Sequence, residues 1–440
     1  MDYGPHFKGK KITVMGLGLL GRGVGDARYL AEQGAEIIVT DLKDKEALRD
    51  SVEKLEGFPN VSFVLGEHRL EDFRNRDYIL KAAGVPLDSP YIEEARNAGI
   101  PIKMSASWFA EIAGIPVVGI TGTRGKSTTT HMLEAIFKKA GRPFVLGGNV
   151  RGVSTLSLLQ EVAHDSVALF ELDSWQLQGF GDARMSPSLS VFTTFYPDHL
   201  TYYKDDIDAY LADKANIFLY QKPDDTLILG EQMAFTVIEK YGEAIPAKVQ
   251  VVGEDALPQD WELLVPGEHN RYDAALALCA ARALGIDDTV SKDALESFLG
   301  VPGRLQLVGM KNGIAFYNDS NSTTPEATIV ALHALGKEGD RNIHLIMGGH
   351  DKGLSMDTLL SLVPEATKRV VLLSGTGTAR IRENLPEAPV FDSLEDAFKD
   401  AVSHAASGDI VLLSPAFASF GMFVNEYDRS DQYDALVQAL

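Results

Sequence analysis

The sequence predicts an α/β protein of three domains: a Rossmann-like N-terminal domain, a central P-loop-type mononucleotide-binding sheet and a Rossmann-like C-terminal domain. Three observations lead there. At 440 residues the chain is too long for one ordinary core. Two glycine-rich turns, at 16–21 and 119–125, each join a short apolar strand to a helix-patterned segment. Short apolar runs recur through the rest of the chain, each ending in a polar cluster, as strands of a parallel sheet do where they carry a ligand. The expected domains span 1–110, 111–299 and 300–440.

In the first domain, Lys11 to Met15 reads as a strand running into Gly16-Leu17-Gly18-Leu19-Leu20-Gly21 and then a helix to about Gln33. A second strand, Glu36 to Thr40, ends at Asp41, about twenty residues past the turn, where an acidic side chain can meet a ribose hydroxyl. This pattern indicates a nucleotide but not which one. Tyr78 to Ala82, the turn Gly84-Val85-Pro86 and a helix over Pro90 to Asn97 continue the alternation to about Ala110.

The second domain is organised around Val117 to Thr130. A buried strand over Ile115 to Ile120 meets a helix over Ser127 to Ala140, with Met132, Leu133, Ile136 and Phe137 on its apolar face. Glycines between them let backbone N–H groups converge on phosphate at a helix N-terminus, while Lys126 can reach the outer phosphates and Ser127 a magnesium ion. The register is a variant one, because the glycine expected five residues before Gly125 is Ile120, with Gly119 one place earlier. Strands over Val167 to Phe170 and Ser190 to Thr193 run into Glu171-Leu172-Asp173-Ser174 and Thr194 to His199. Glu171 offers a hard oxygen ligand for magnesium, and His199 a partner for a second ion or a substrate. Lys214 lies in a helical pattern over Asp205 to Tyr220 and by spacing alone is a surface lysine.

The third domain repeats the arrangement. Strands over Ala315 to Tyr317, His344 to Met347, Val370 to Leu373 and Ile410 to Leu413 end in Asn318-Asp319-Ser320, Gly348 to Lys352, Ser374-Gly375-Thr376 and Ser414-Pro415-Ala416.

Composition narrows the partners. Hydrophobic residues make up 45% and charged residues 23%, as in an ordinary globular protein. A net charge of −21 opposes nucleic-acid and anionic-membrane surfaces, so any anionic ligand has to be held by local cations, amides and metal. The lone Cys279, in the apolar helical run Ala274 to Leu284, excludes an intramolecular disulfide and suits a reducing compartment. No apolar run reaches membrane-spanning length and the N-terminus lacks a signal-peptide h-region. A cytoplasmic chain with no membrane or nucleic-acid partner is expected. On the residues so far, a nicotinamide dehydrogenase, using the first glycine turn, and a nucleotide-gated binding module stand beside an ATP-using enzyme.

Taken together, the motifs resemble those of the Mur ligases over nearly the whole chain. The family signature Thr-Gly-Thr-Asn-Gly-Lys-Ser/Thr is matched at Thr121 to Ser127, with Arg124 for asparagine. Its Glu-Leu-Ser-Ser-Phe-Gln-Leu segment is matched at Glu171 to Leu177, and Pro-Asp-His-Leu at Pro197 to Leu200. Lys214, fifteen residues past His199, matches the family lysine that becomes a carbamate. Gly267 to Ala274 is similar to the adenine segment, Pro302-Gly303-Arg304 to the phosphate arginine, and Asn318-Asp319-Ser320 to the ribose aspartate.

The resemblance implies an ATP- and Mg2+-dependent amide ligase working through an acyl phosphate in peptidoglycan precursor synthesis, with no protein nucleophile. It implies that Gly122, Thr123, Gly125, Lys126, Ser127, Thr128, Asn270, Arg304 and Asp319 bind ATP, and that Ser127, Glu171, His199 and a carbamylated Lys214 hold metal. The glycine-turn first domain and the segment Ser414 to Phe420 are most similar to the branch that adds D-glutamate to UDP-N-acetylmuramoyl-L-alanine. Gly18, Asp41, Gly84, Asn149 and Gln176 would then bind the UDP-linked acceptor, and Thr323, Lys352 and Ser419 the amino acid, in a monomeric enzyme. Asp273, Asp173, Leu42 and Asn321 depart from the family's asparagine, serine, hydroxyl residue and lysine. Another Mur-type or folylpolyglutamate-type ligase is therefore the alternative.

Overall fold

The computed structural model describes residues 2–18, 21–336 and 341–440. Leu19 and Leu20 of the first glycine turn lie outside the described residues, as do the side chains of Leu200 and Thr201. The chain forms two compact units, one of Met1–Pro258 with Tyr272–Ala294 and the other of Gln259–Arg271 with Leu295–Leu440.

The first unit contains two sheets. Strands β1 (Lys11–Met15), β2 (Glu36–Asp41), β3 (Val61–Leu65), β4 (Tyr78–Lys81) and β5 (Ile102–Lys103) are all parallel, in the order β3-β2-β1-β4-β5. Strands β6 (Val117–Thr121), β7 (Phe144–Gly148), β8 (Val167–Glu171), β9 (Leu189–Phe192), β10 (Thr226–Gly230) and β11 (Lys248–Val252) form a second parallel sheet, ordered β11-β10-β9-β6-β8-β7. β6 is buried at every residue, as expected for a strand covered by helices on both faces. The helix Lys126–Lys139 buries Met132, Leu133, Ile136 and Phe137, and its last turn carries Lys138 and Lys139, where cations suit the helix dipole. Pro90 opens the helix Pro90–Asn97 at its first turn, where no amide donor is needed.

The helix Ser105–Ala113 spans the expected boundary at 110 and joins the two sheets through one apolar core. Phe109 meets Phe170 of β8 edge to face, with ring centroids 5.2 Å apart, and Trp108 packs on Phe7 at 5.2 Å. Truncating a buried phenylalanine of this kind to alanine costs about 3–5 kcal/mol. Cys279 is buried in the helix Glu268–Ala283, as expected for a small core residue.

The second unit has one sheet, made of β12 (Gln306–Lys311), β13 (Ile314–Asn318), β14 (Ile343–Gly348), β15 (Thr367–Leu373), β16 (Val390–Phe391) and β17 (Ile410–Leu413). Its order is β12-β13-β17-β14-β15-β16, and among the described residues only the edge pair β12–β13 of these strands is antiparallel. The tight turn between Lys311 and Ile314 explains that pair, since a two-residue link can only reverse the chain. Among the described residues no helix is long and apolar enough to cross a membrane.

Candidate active site

The phosphate loop follows β6. Gly122 has φ 151° and Gly125 φ 85°, values that disfavour a side chain, and space forbids one as well. A Cβ on Gly122 would lie 2.0 Å from Thr193 Oγ1, and one on Gly125 2.3 Å from Asp273 Oδ1. The loop is pinned from β9's end: Thr123 N donates to Thr194 O at 2.7 Å and Arg124 N to Thr194 Oγ1 at 2.9 Å. Asp273, where the family has asparagine, therefore sits over the loop's second glycine.

Lys126 folds back, its amine donating to the carbonyls of Gly122 at 3.0 Å and Thr123 at 3.2 Å. Ser127 and Thr128 are half-buried in the first helical turn. Lys214 is not the surface residue its spacing suggested. It lies on the helix Ile207–Ala215, is 1% exposed, donates to Gly122 O at 2.8 Å and stands 4.9 Å from the Tyr210 ring centre. Burial, reinforced by the charge of Lys126, holds its amine well below the usual lysine range.

Glu171 ends β8 at 4% exposure and accepts from Asn149 Nδ2 at 3.2 Å. His199 has a left-handed φ of 54°, and its ring lies 4.8 Å from Trp175 and 5.9 Å from Tyr210, the ring that also meets Lys214. The structure thus groups the phosphate loop, Lys214 and His199 around Tyr210, with Glu171 among the charges that act on Lys214. The carboxylate and hydroxyl oxygens of this region are of the type that fits a hard divalent ion. Among the described residues no three His, Cys, Asp or Glu side chains gather to hold one by themselves, so phosphate oxygens would have to complete the set.

A cleft of about 290 Å³ opens beside this region, at the carboxyl ends of the adjacent strands β1 and β4, where the strand order reverses. It is lined by Gly18, Gly84, Asn149 and Gln176, four of the five residues expected at the UDP-linked ligand. The fifth, Asp41, is not on its wall. Its carboxylate accepts from Leu17 N at 2.9 Å, Gly18 N at 3.3 Å and Lys43 N at 2.9 Å, so it braces the glycine turn. Asp173 caps the helix Ser174–Asp182, exchanging hydrogen bonds with Gln176, so an acid serves where the family has serine.

Sequence reasoning passed over two cations in this cleft. Arg22 Nη1 donates to Asn149 Oδ1 at 2.8 Å. Lys81, 1% exposed at the end of β4, donates to the carbonyls of Ala82, Ala83 and Val85 at 3.2, 3.2 and 2.6 Å, and burial lowers it to about 8. Arg22 directly follows the last glycine of the turn, which was the available signal. Lys81 occupies an otherwise apolar strand, and that mismatch was its own signal.

In the second unit, Asp319 ends β13 and is buried, accepting from Leu305 N at 3.0 Å and Ser414 Oγ at 2.7 Å. Burial raises its carboxyl to about 6. Arg304 is exposed and its charge acts on Asp319. Asn270 is buried, its amide donating to Pro266 O at 2.6 Å. Lys352 donates to Thr323 Oγ1 at 2.7 Å, and the antiparallel bridge His350–Ala418 brings the Ser419 segment alongside. Beneath them lies Arg429, also unforeseen. It is 0% exposed and donates to Ser320 O at 2.8 Å and Phe417 O at 3.4 Å, tying together the two loops that carry Thr323 and Ser419.

Residues 10–104 match the Mur ligase MurD-like N-terminal domain, 120–264 the Mur ligase middle domain and 303–417 the Mur ligase glutamate ligase domain. The chain is 37% identical to the UDP-N-acetylmuramoylalanine–D-glutamate ligase of Roseiflexus sp. (strain RS-1), over 98% of this chain and 99% of that one. It is 33% identical to the enzyme of that name from Borreliella burgdorferi (strain ZS7), over 99% of each. Two solved structures share the fold. The UDP-N-acetylmuramate–alanine ligase of Thermotoga maritima has a TM-score of 0.60 at 19% identity, covering 98% of this chain and 99% of its own. The MurF ligase of the same organism, in complex with ADP, has a TM-score of 0.58 at 16% identity, covering 100% and 97%.

Proposed function

We propose that this chain, which belongs to the Mur ligase family, is the ATP-dependent ligase that joins D-glutamate to UDP-N-acetylmuramoyl-L-alanine in peptidoglycan synthesis. The observation that carries this reading is the end-to-end likeness to enzymes of that name, at 30–37% identity over 94% or more of the chain. That likeness favours it over the folylpolyglutamate-type alternative.

In the proposed reaction the acceptor's terminal carboxylate attacks the γ-phosphorus of ATP, ADP leaves, and an acyl phosphate forms. The amine of D-glutamate then adds to the acyl carbon, phosphate departs, and the amide nitrogen loses a proton. The protein's part is positioning and charge neutralisation. Amides and hydroxyls of Gly122, Thr123, Gly125, Ser127 and Thr128 cradle the phosphates, with Lys126 turning from its carbonyls toward them. Asn270, Arg304 and Asp319 take the rest of the nucleotide. Mg2+, when bound, screens the phosphate charge; Ser127, Glu171, His199 and a carbamate on Lys214 are its proposed supports. The low basicity of the buried Lys214 supports the carbamate, since only a neutral amine adds to carbon dioxide.

The cleft at β1 and β4 takes the UDP-linked acceptor through Gly18, Gly84, Asn149 and Gln176, with Asp41 holding the turn. Thr323, Lys352 and Ser419 take D-glutamate. The domain division near 110 and 299 is part of this reading, supported by the three separate family matches, as are a monomeric state and a cytoplasmic setting where ATP is supplied. The test is phosphate release from ATP with a panel of UDP-muramoyl acceptors and D- and L-amino acids. Release that requires both UDP-N-acetylmuramoyl-L-alanine and D-glutamate is the expected result. Release with an uncharged amino acid instead would remove the D-glutamate assignment.

A further inference from the structure

We infer that Arg22 is the residue that recognises the diphosphate of the ligand in the β1–β4 cleft and makes that cleft selective for a nucleoside diphosphate over a nucleoside. The inference rests on the acceptor reading above and adds to it a residue that the motifs did not supply.

A bound diphosphate takes its donors from the wall of the cleft. A diphosphate brings at least two negative charges into a protein whose net charge is −21, so nearby donors must balance them. A glycine turn at a helix start ordinarily supplies backbone N–H groups for this. Here two of them, Leu17 N and Gly18 N, already donate to the Asp41 carboxylate, at 2.9 and 3.3 Å. Among the described residues the cleft wall carries two cations, Arg22 and Lys81. An ammonium has three N–H groups, and Lys81 directs its amine at three carbonyls of its own turn, those of Ala82, Ala83 and Val85. Lys81 therefore shapes the wall and contributes charge at a distance, without a donor to offer.

Arg22 differs. A guanidinium carries five N–H groups in a planar fork, and its hydrogen bond to Asn149 Oδ1, at 2.8 Å, uses one of them. The side chain is half-buried on the cleft wall, so its charge is only partly screened by water. Of the two acids on the wall, Asp26 lies within reach of the charge of Arg22, but among the described residues no hydrogen bond joins them. Asp26 accepts from Ser105 and Ser154 at 2.9 and 2.6 Å, and Asp173 from Gln176 N at 2.8 Å. Arg22 is thus the cation on this wall with fork geometry and donor capacity for phosphate oxygens. Its bond to Asn149, which also donates to Glu171 at 3.2 Å, fixes the orientation of the fork before a ligand arrives.

The test is calorimetric titration of the full-length protein with UDP and, separately, with uridine. The parent is expected to bind UDP at least tenfold more tightly than uridine. In R22Q, loss of charge-assisted bonds should weaken UDP about tenfold to a hundredfold while uridine changes less than threefold, and R22K should recover part of the difference. Equal weakening of both ligands in R22Q would show that Arg22 only supports the fold of the turn, and unchanged affinity for both would show that it takes no part; either overturns the inference and leaves the ligase reading standing. A parent that binds neither compound would instead remove the acceptor assignment of the cleft, and this inference with it.

Discussion

Lys126 and Lys214 donate to the same oxygen, the carbonyl of Gly122, at 3.0 and 2.8 Å. Two ammonium groups that close repel, and the fully buried one is the one that loses its proton more readily. Lys214 is that residue, held well below the ordinary lysine range first by burial and then by Lys126. An amine of lowered basicity beside a phosphate loop suits the proposed carbamate, which forms from the neutral amine. Lys214→Ala is therefore expected to be inactive, with partial recovery in millimolar acetate or formate, which replace the missing carboxylate. Lys214→Arg retains a cation that forms no such carbamate; turnover equal to the parent's would show that the carbamate is not needed.

Lys126 donates to two loop carbonyls and its amine serves charge, so its loss should be felt in chemistry and little in folding. Lys126→Ala is expected to abolish measurable ATP turnover while shifting stability by no more than about 1 kcal/mol, the net scale of a hydrogen bond. Steady-state phosphate release and a thermal melt, run on the same preparation, separate the two effects. Near-normal turnover would end the phosphate-loop assignment.

Lys352 donates to Thr323 Oγ1 at 2.7 Å, a cation–hydroxyl pair suited to a carboxylate. A charge-assisted hydrogen bond contributes about 1.5–3 kcal/mol, so Lys352→Met should raise the KM for D-glutamate roughly tenfold to a hundredfold. The KM for ATP should move less than threefold. If both rise together, Lys352 serves the nucleotide and not the amino acid.

Asp319 carries a pH signature with a definite sign. Its carboxyl is raised to about 6 from the usual 3.8, so the folded chain binds this proton more tightly than the unfolded one. The stability it contributes is complete below about pH 4 and is lost as pH rises through about 6. Relative to Asp319→Asn, which has no proton to lose, the parent should give up about 2 kcal/mol of second-unit stability between pH 4 and pH 7. Calorimetric melts at both pH values measure this, and parallel pH profiles for the two proteins would show that Asp319 ionises as an ordinary carboxylate.

Local order was legible in the sequence because spacing encodes it. The helix Pro90–Asn97 and the strand Ile410–Leu413 have the bounds their patterns predict, and β6, the phosphate loop and Lys126 follow from an apolar run, glycines and a lysine at set intervals. The first strand, Lys11–Met15, also keeps its expected bounds, while several other strand and helix ends moved by a few residues, most at the helix of Lys214, which keeps only Ile207–Ala215 of the expected Asp205 to Tyr220. Residues named through the family resemblance could be listed from the sequence, but their environments could not. Lys214 meets Gly122 across 92 positions and Arg22 meets Asn149 across 127, and no periodicity connects such pairs. Whether a lysine is a solvated cation, a buried amine of lowered basicity like Lys214 or a clamp on three carbonyls like Lys81 depends on the water and charge that packing leaves around it. Whether Asp41 reaches for a ribose or braces a glycine turn depends on which N–H groups the folded chain turns toward it. The sequence determined the elements and the chemical groups they carry; desolvation and long-range contact, which exist only in the folded chain, decided the protonation, partner and task of each group.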